Sequence, residues 1–183
     1  MIPVFFAGEE FDANFHPLPG LSPHLYGGKE PGKGRWLCGA MLDWNELKEP
    51  RHKDMFLDVQ KMISIRKQNS AVLAMTPGGT EPKLRAVAHE SDTKVSVPYL
   101  RWDDHSAILI AANRNREQDA AIKMTIDLTG TGIQGHQRYA VADLWSTGDT
   151  KTCTAEELKT YQCTIKRDGI RGGGLAVFRI EPA

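Results

Sequence analysis

Two adjacent carboxylates, Glu9 and Glu10, are the first residues of the chain whose types suggest acid–base chemistry. They follow a short apolar stretch and a glycine in the sequence IPVFFAGEEF. A pair of carboxylates that acts on one bond must face that bond together, whereas adjacent residues of a strand point to opposite faces. The spacing therefore predicts no catalytic pair at these two residues.

The apolar stretch before these glutamates predicts a strand that is covered on both faces. Residues 2–6 are apolar at consecutive positions, whereas a strand with one wet face alternates apolar and polar side chains. Continuous apolar runs are typical of parallel sheets, which are buried on both sides. Such a strand needs neighbours, and the sequence before residue 80 offers no matching strand.

The following segment, residues 12–50, is rich in Pro and Gly and predicts a long loop. It carries His16, Tyr26 and Trp36, whose rings are candidate contacts for a ligand. Aromatic side chains in a loop also pin the loop onto its own domain, so a structural role stays open. A loop of this length in a compact domain is usually functional, or else part of it is wrongly assigned as loop.

Residues 54–69 predict the clearest helix, with Asp54 as its N-cap and Lys67 near its C-terminal end. A stripe of apolar residues at helical spacing predicts ordinary packing against a core. The stripe consists of Met55, Phe56, Val59, Met62 and Ile63. The turn-rich residues 76–82 then mark a candidate domain boundary.

From residue 83 the sequence predicts an antiparallel β-sandwich, because short β-branched and aromatic segments alternate with turn residues. These segments lie at residues 83–90, 94–102, 106–114, 121–128, 138–145, 160–167 and 175–182. Thr154 and Glu157 have the spacing of a capping box, which predicts a helical turn. Residues 102–105, WDDH, predict a hairpin turn, with a cation site on the two carboxylates as the alternative.

The charge balance of the chain disfavours nucleic acid and anionic membranes as partners. Lys and Arg together number 23, as do Asp and Glu, so the chain has no strong positive electrostatic field to attract them. No apolar run approaches the roughly 20 residues of a membrane span. The first residues lack the basic flank of a signal peptide, which favours the cytoplasm if Met1 is the natural start.

Cysteine and histidine spacing predicts no metal or cofactor site. Cys38, Cys153 and Cys163 show no CxxC pattern, and the six histidines form no HExxH group. Free thiols are the main interpretation. A bridge between Cys153 and Cys163 stays open for an oxidising compartment.

The order of these segments resembles the C-terminal end of an α-amylase family glycoside hydrolase. The last barrel strand of that family reads Gly-x-Pro, apolar residues and then Gly-Glu/Asp-Glu. Pro3, Gly8, Glu9 and Glu10 match, and Met1 stands at the position of the first glycine.

Later motifs continue the resemblance along nearly the whole chain. Trp44 stands where the family often has a tryptophan before its final helix, and SIRKQNSAVL is similar to the end of that helix. AILIAANR, ending near Asn113, is similar to an apolar strand closed by asparagine. YAVADLWSTG and GLAVFRIEP resemble the two late strands of the family's C-terminal β domain.

The resemblance implies a mainly β chain with two parts. Residues 1–79 would be the strand–loop–helix remnant of a (β/α)8 barrel, and residues 80–183 the C-terminal antiparallel β-sandwich. A whole barrel takes about 250 residues, so the rest of the barrel would lie outside this chain. The catalytic Asp, Glu and Asp of the family come from earlier strands, so no catalytic residue is assigned here.

The resemblance therefore predicts a non-catalytic C-terminal region of an α-glucan-active enzyme, inactive by itself, whose β domain stabilises the barrel. Its partners would be the missing barrel portion and α-glucan. The candidate substrate-binding residues are Glu9, Glu10, His16, Tyr26 and Trp36. The apolar strand and helix, left without the barrel, predict self-association.

Two other functions stay open. A carbohydrate-binding module would stack sugars on exposed aromatic rings. Its candidate rings are Tyr99, Trp102, Tyr139, Trp145 and Tyr161. A structural or interaction protein unrelated to sugars would have to pair the apolar strand at residues 2–6 elsewhere, for example by strand addition between two copies.

Overall fold

The computed structural model describes residues 15–17, 40–73, 83–167 and 174–183. Contacts divide the chain into two compact units, Met1–Ile63 and Ser64–Ala183. The predicted apolar strand at residues 2–6 and the predicted domain boundary at residue 80 both lie outside the described residues.

The first unit contains a short antiparallel pair, β1 (Phe15–Pro17) and β2 (Ala40–Leu42), and a 3₁₀ helix (Trp44–Lys48). The prediction of continuous loop over residues 12–50 is therefore wrong at these positions. Strands of three residues are too short to show a periodic pattern. The 3₁₀ helix begins where Asp43 Oδ1 accepts a hydrogen bond from the Asn45 N–H, at 2.9 Å.

Helix α1 spans Pro50–Gln68, so it begins four residues before the predicted start. Asp54 is thus inside the helix and not its N-cap. Proline suits the first helical position, because its fixed φ matches the helix and its missing N–H would have no partner there. Lys67 lies in the last turn, as expected.

The apolar stripe of α1 is only partly buried. Val59 is buried, but Met62 and Ile63 expose 40% and 44% of their surface. The prediction of ordinary core packing is wrong for these two residues. The helix therefore leaves apolar side chains in water.

Among the described residues, the second unit holds most of the strands, and its strand pairs are antiparallel. Two short helices belong to it, α2 (Ser70–Leu73) and α3 (Ala155–Leu158). Its strands are β3 (Leu84–Ala86), β4 (Ala88–Ser91), β5 (Tyr99–Trp102), β6 (Ala107–Asn113), β7 (Ala120–Thr125), β8 (Arg138–Asp143), β9 (Thr150–Thr154), β10 (Tyr161–Ile165) and β11 (Gly174–Pro182).

These strands form a six-stranded sheet in the order β3-β5-β6-β11-β8-β9 and a three-stranded sheet in the order β10-β7-β4. The two sheets enclose one apolar core, which is the arrangement of a β-sandwich. Leu109 and Ile180 reach this core from the larger sheet, and Ile122 and Met124 from the smaller one. The described part of the chain is thus mainly β, as the sequence predicts.

Two details of the strands differ from the prediction. The segment at residues 83–90 forms two strands, because the chain passes from the larger sheet to the smaller one at Val87. The Val87 N–H donates to the Pro98 carbonyl oxygen at 2.8 Å. Strand β9 was not predicted, since its sequence TKTCT is polar and lacks an apolar signal.

The structure confirms two local motifs, the capping box at Thr154 and the hairpin turn at residues 102–105. The Thr154 hydroxyl accepts a hydrogen bond from the Glu157 N–H, and the Glu157 carboxylate accepts from the Thr154 N–H, so the capping box forms. Residues 102–105 make the β5–β6 hairpin turn, in which Asp103 Oδ1 accepts from the His105 and Ser106 N–H groups. The neighbouring Asp104 pairs with Lys83 Nζ at 2.6 Å.

A close approach of two backbone segments requires glycine at residue 174. A Cβ added at Gly174, the first residue of β11, would overlap the carbonyl oxygen of Lys166. Lys166 follows the end of β10 in the smaller sheet, so the glycine lets the two sheets meet at this end of the core. At Gly130, by contrast, a Cβ would meet no atom within 4 Å, although φ is +76°.

Candidate docking surface on the six-stranded sheet

Among the predicted substrate-binding residues, His16 lies on β1. Glu9, Glu10, Tyr26 and Trp36 lie outside the described residues. The geometry of a sugar site built from these five residues is therefore not part of the described structure.

The five aromatic candidates for a sugar-binding face are not brought together on one surface. Tyr139 is buried and its hydroxyl donates to the Ile133 carbonyl oxygen at 3.0 Å. Tyr161 is also buried and packs edge-to-face on Phe178, with ring centroids 5.6 Å apart. Burial raises the pKa of the Tyr161 hydroxyl well above its usual range.

The two tryptophans are half-buried and have intramolecular partners. Trp102 packs against the core and carries the guanidinium of Arg85 over its ring, at 4.6 Å from the centroid. Trp145 packs against the outer side of the six-stranded sheet. Tyr99 is the most exposed of the five candidates, at 48%, so no exposed pair of these rings forms a stacking platform.

The outer face of the six-stranded sheet carries a group of apolar side chains beside the charged Arg101 and Arg179, and a sandwich domain alone does not require such a group. On β6, Leu109 points into the core while Ile108 and Ile110 point outward. On β11, Phe178 points inward while Val177 points outward beside Ile110. Both strands are therefore apolar on both faces. We call the outer surface formed by β3, β5, β6 and β11 the outer apolar face.

The centre of the outer apolar face is covered from within the same unit. Val72 of α2 is buried in one cluster with Ile108 and Val177. Leu144 and Trp145, from the β8–β9 turn, pack on the same cluster. This cover removes the middle of the face from water.

The β8–β9 turn is held by a dense set of hydrogen bonds to Asp143. Its carboxylate accepts from the N–H groups of Trp145 and Ser146, both at 2.9 Å, and from the Ser146 hydroxyl. Burial raises the pKa of Asp143, but these bonds outweigh burial and leave the pKa below its ordinary value. The carboxylate thus positions the turn that carries Trp145.

Beside the cover lies an exposed part of the outer apolar face, which we call the uncovered patch. It contains Leu84, Tyr99 and Ile110, which are 44%, 48% and 38% exposed. Strand register makes Tyr99 the direct neighbour of Ile110 on one side and of Ala86 on the other. Contiguous exposed apolar side chains on a folded domain mark a surface that packs on something else.

The outer face of the three-stranded sheet has the opposite character. Strand β7 alternates buried and exposed residues, and its exposed side chains include Lys123. A shallow depression of about 420 Å³ on this side is lined by Glu90, Lys123, Gln162 and Thr164 among other residues, and none of its lining side chains is aromatic. The two outer faces of the sandwich thus differ, and the apolar one is the stronger candidate for docking.

Two of the three cysteines, Cys153 and Cys163, lie within the described part of the chain. Cys153 and Cys163 are free in the structure. Burial raises the pKa of both thiols, that of Cys163 to about 11, so neither is an activated nucleophile. Within the described ranges no cluster of three or more His, Cys, Asp or Glu residues is placed to hold a metal ion. Over the same ranges no helix has the length and apolar character needed to cross a membrane.

The outer apolar face is the feature that sequence reasoning missed. The sequence does contain a signal for this face, because apolar residues occupy consecutive positions in the β6 sequence AILIAAN and in the first half of the β11 sequence GLAVFRIEP. Such runs are typical of strands covered on both faces. Comparison with protein-family models and with curated proteins found no match.

Proposed function

We propose that this chain is the non-catalytic C-terminal region of an α-amylase-like, α-glucan-active glycoside hydrolase. Its β-sandwich would pack on the catalytic barrel and stabilise it. Residues 1–79 would supply the barrel's last strand, loop and helix. The order of the motifs from Pro3 to the last strand supports this assignment.

The observation that carries the proposal is the outer apolar face. A sandwich whose only partner is water keeps polar side chains on its outer faces, as the three-stranded sheet does. The six-stranded sheet instead leaves Tyr99 and Ile110 exposed as direct cross-strand neighbours, and it also leaves Leu84 exposed on β3. Covering them with a second domain would remove apolar area from water, at about 25 cal/mol for each Å².

The carbohydrate-binding module is the weaker alternative. It requires exposed aromatic rings that stack on sugar, and four of its candidate rings are buried or half-buried against the protein's own core or sheet. The depression on the three-stranded sheet offers polar groups without an aromatic surface. We therefore prefer the barrel-stabilising role.

The proposal is tested by the coding sequence upstream of Met1. We expect it to continue in frame through a barrel whose strand ends carry the Asp, Glu and Asp of the α-amylase family. The purified 183-residue chain should show no turnover of maltooligosaccharides, whereas the longer chain should hydrolyse or transfer α-glucan. An in-frame stop codon just before Met1, or hydrolysis by the 183-residue chain itself, would contradict the proposal.

A further inference from the structure

Strand β3 forms one edge of the six-stranded sheet, and within the described residues it pairs only with β5. The Lys83 carbonyl oxygen accepts a hydrogen bond from β5 at 3.0 Å, and the Val87 N–H donates at 2.8 Å to the residue just before β5. In an antiparallel strand, alternate residues direct their backbone groups to the same neighbour. The N–H and C=O groups of Leu84 and Ala86 therefore point away from β5, to the free edge.

The free edge lies beside exposed apolar side chains. Leu84 is 44% exposed, and Ala86 is exposed as well. Tyr99, the direct neighbour of Ala86 on β5, is 48% exposed. An edge strand with unpaired backbone groups is a template for an extended segment, and alternate side chains of that segment lie against those of the edge strand. The side chains of Leu84 and Ala86 therefore favour apolar residues in a segment that adds to β3.

Arg85, the middle residue of β3, is half-buried and lies opposite the core residue Leu100 on the inner side of the sheet. Its guanidinium lies over Trp102 and donates from Nη2 to the Thr129 carbonyl oxygen at 2.6 Å, while its Nε is buried without an acceptor. Hydrogen bonds from Thr129 and, to a smaller extent, the charge of Arg85 lower the pKa of Asp127. None of the ion pairs among the described residues includes Arg85. Its guanidinium is therefore a half-buried cation that suits a carboxylate from a partner.

The charge of Arg85 argues against a second copy of this chain as the occupant of the edge. The chain has a formal net charge of zero, so overall repulsion does not keep two copies apart. Antiparallel pairing of β3 with itself about its middle residue would, however, place the two Arg85 side chains opposite each other. Like charges directly opposite each other destabilise a strand pair, whereas opposite charges stabilise it. The edge therefore fits a different segment, with Asp or Glu at the position opposite Arg85.

From these features we propose that β3 is a docking edge for an extended segment of a partner protein, in which Asp or Glu stands between two apolar residues. The segment pairs antiparallel with β3, so that its backbone bonds to Leu84 and Ala86 and its carboxylate lies opposite Arg85. Its apolar side chains extend the uncovered patch. Strand β9, at the other edge of the sheet, has exposed threonines and Lys151 instead, and such edges resist strand addition. Docking at β3 uses backbone groups that the proposed function leaves free, and it does not depend on that function.

The test is a titration of the isotope-labelled 183-residue chain with an N-acetylated peptide, followed by NMR of the backbone amides. The probe peptide has glutamate between two valines, with threonine and lysine outside them, and the comparison peptide has glutamine in place of the glutamate. We expect the Leu84 and Ala86 amide resonances to shift and to saturate. The glutamate peptide should bind about fivefold more tightly than the glutamine peptide, which is the gain expected from a partly exposed ion pair.

Ala86→Pro removes the free N–H without breaking a bond to β5, so it should abolish binding. Thr152→Pro is the matched control, since Thr152 is exposed and its N–H, like that of Thr154, points away from β8 to the free edge of β9. This control should bind the peptide like the parent. The proposal is overturned if the Leu84 and Ala86 resonances stay unshifted up to about 5 mM peptide, if both peptides bind equally, or if Ala86→Pro still binds.

If Ala86→Pro fails to fold, Arg85→Gln decides the question. Its preference for the glutamate peptide should vanish, and a retained preference would refute the pairing of the carboxylate with Arg85. If Ala86→Pro instead converts an oligomer of the parent chain into a monomer, a second copy occupies the edge, which also contradicts the proposal.

Discussion

Replacement of Asn113 offers a quantitative test of how the two sheets are joined. Asn113 ends β6 in the six-stranded sheet and is 3% exposed. Its Nδ2 donates to the Ile165 carbonyl oxygen, at the end of β10 in the other sheet, and to the Gln118 carbonyl oxygen, at 3.3 and 2.8 Å. Its Oδ1 accepts from the Asn115 N–H at 2.8 Å. One side chain thus connects both sheets and the β6–β7 loop.

Asn113→Ala removes all three hydrogen bonds and leaves the Ile165 carbonyl oxygen buried without this donor. An unsatisfied buried polar group costs about 1–3 kcal/mol, and each further bond about 1 kcal/mol. We expect the free energy of unfolding to fall by about 3–5 kcal/mol, the sum of one unsatisfied group and two further bonds. With a urea dependence of about 1–3 kcal/mol per M, the unfolding midpoint should fall by about 1–5 M.

Urea titration followed by tryptophan fluorescence measures this shift, because Trp102 and Trp145 report on the second unit. Asn115→Ala is the control, since Asn115 is only partly buried; its side chain donates to Thr93 Oγ1, between β4 and β5, and accepts from the Glu117 N–H. Its replacement should lower the free energy of unfolding by about 1–2 kcal/mol. Equal midpoints for the two variants would show that Asn113 does not join the sheets.

Three further outcomes follow from the structure. Gly174→Ala should lower the free energy of unfolding by about 3 kcal/mol, since its Cβ would overlap a backbone carbonyl oxygen. Gly130→Ala should lower it by only about 1–2 kcal/mol through backbone strain. Urea titration compares the two variants, and an equal loss would refute the close approach at Gly174. The pKa of Asp143 is lowered in the folded state, so its contribution to stability is present above the unfolded pKa of about 3.9 and is lost as pH falls through the lower folded value. In thermal melts, the melting temperature of Asp143→Asn should therefore fall less steeply with decreasing pH than that of the parent. An equally steep fall in both proteins would contradict the role of Asp143. The isolated chain should self-associate in light scattering at high concentration, and Tyr99→Asp with Ile110→Asp should reduce the mean mass; a clean monomer in the parent chain would be the opposite result.

Sequence reasoning identified the strands whose residues alternate or run apolar. Strand β7 alternates apolar and polar residues, and β6 runs apolar, so both were placed correctly. Strand β9 was missed, because polar threonines and Lys151 at a sheet edge carry no burial signal. The change of sheet at Val87 was also missed, since local propensity does not tell which sheet a strand joins.

The site was less predictable than the fold. Whether Tyr139 and Tyr161 are buried depends on the register of strands far apart in the chain, which sequence spacing does not give. Likewise, the contact of Val72 with Val177 joins residues separated by most of the second unit. The apolar runs of β6 and β11 did signal a covered outer face, although not what covers it.

The most direct test of the account is the temperature at which a longer chain, extended upstream through the proposed barrel, loses α-glucan hydrolysis. Tyr99→Asp with Ile110→Asp should lower that temperature by about 5 °C or more, because the substitutions place charge in the proposed domain contact. Gln162→Asp, on the exposed face of β10, is the matched control and should leave it unchanged. An equal inactivation temperature for the parent and the patch variant would contradict the claim that the outer apolar face docks on the barrel.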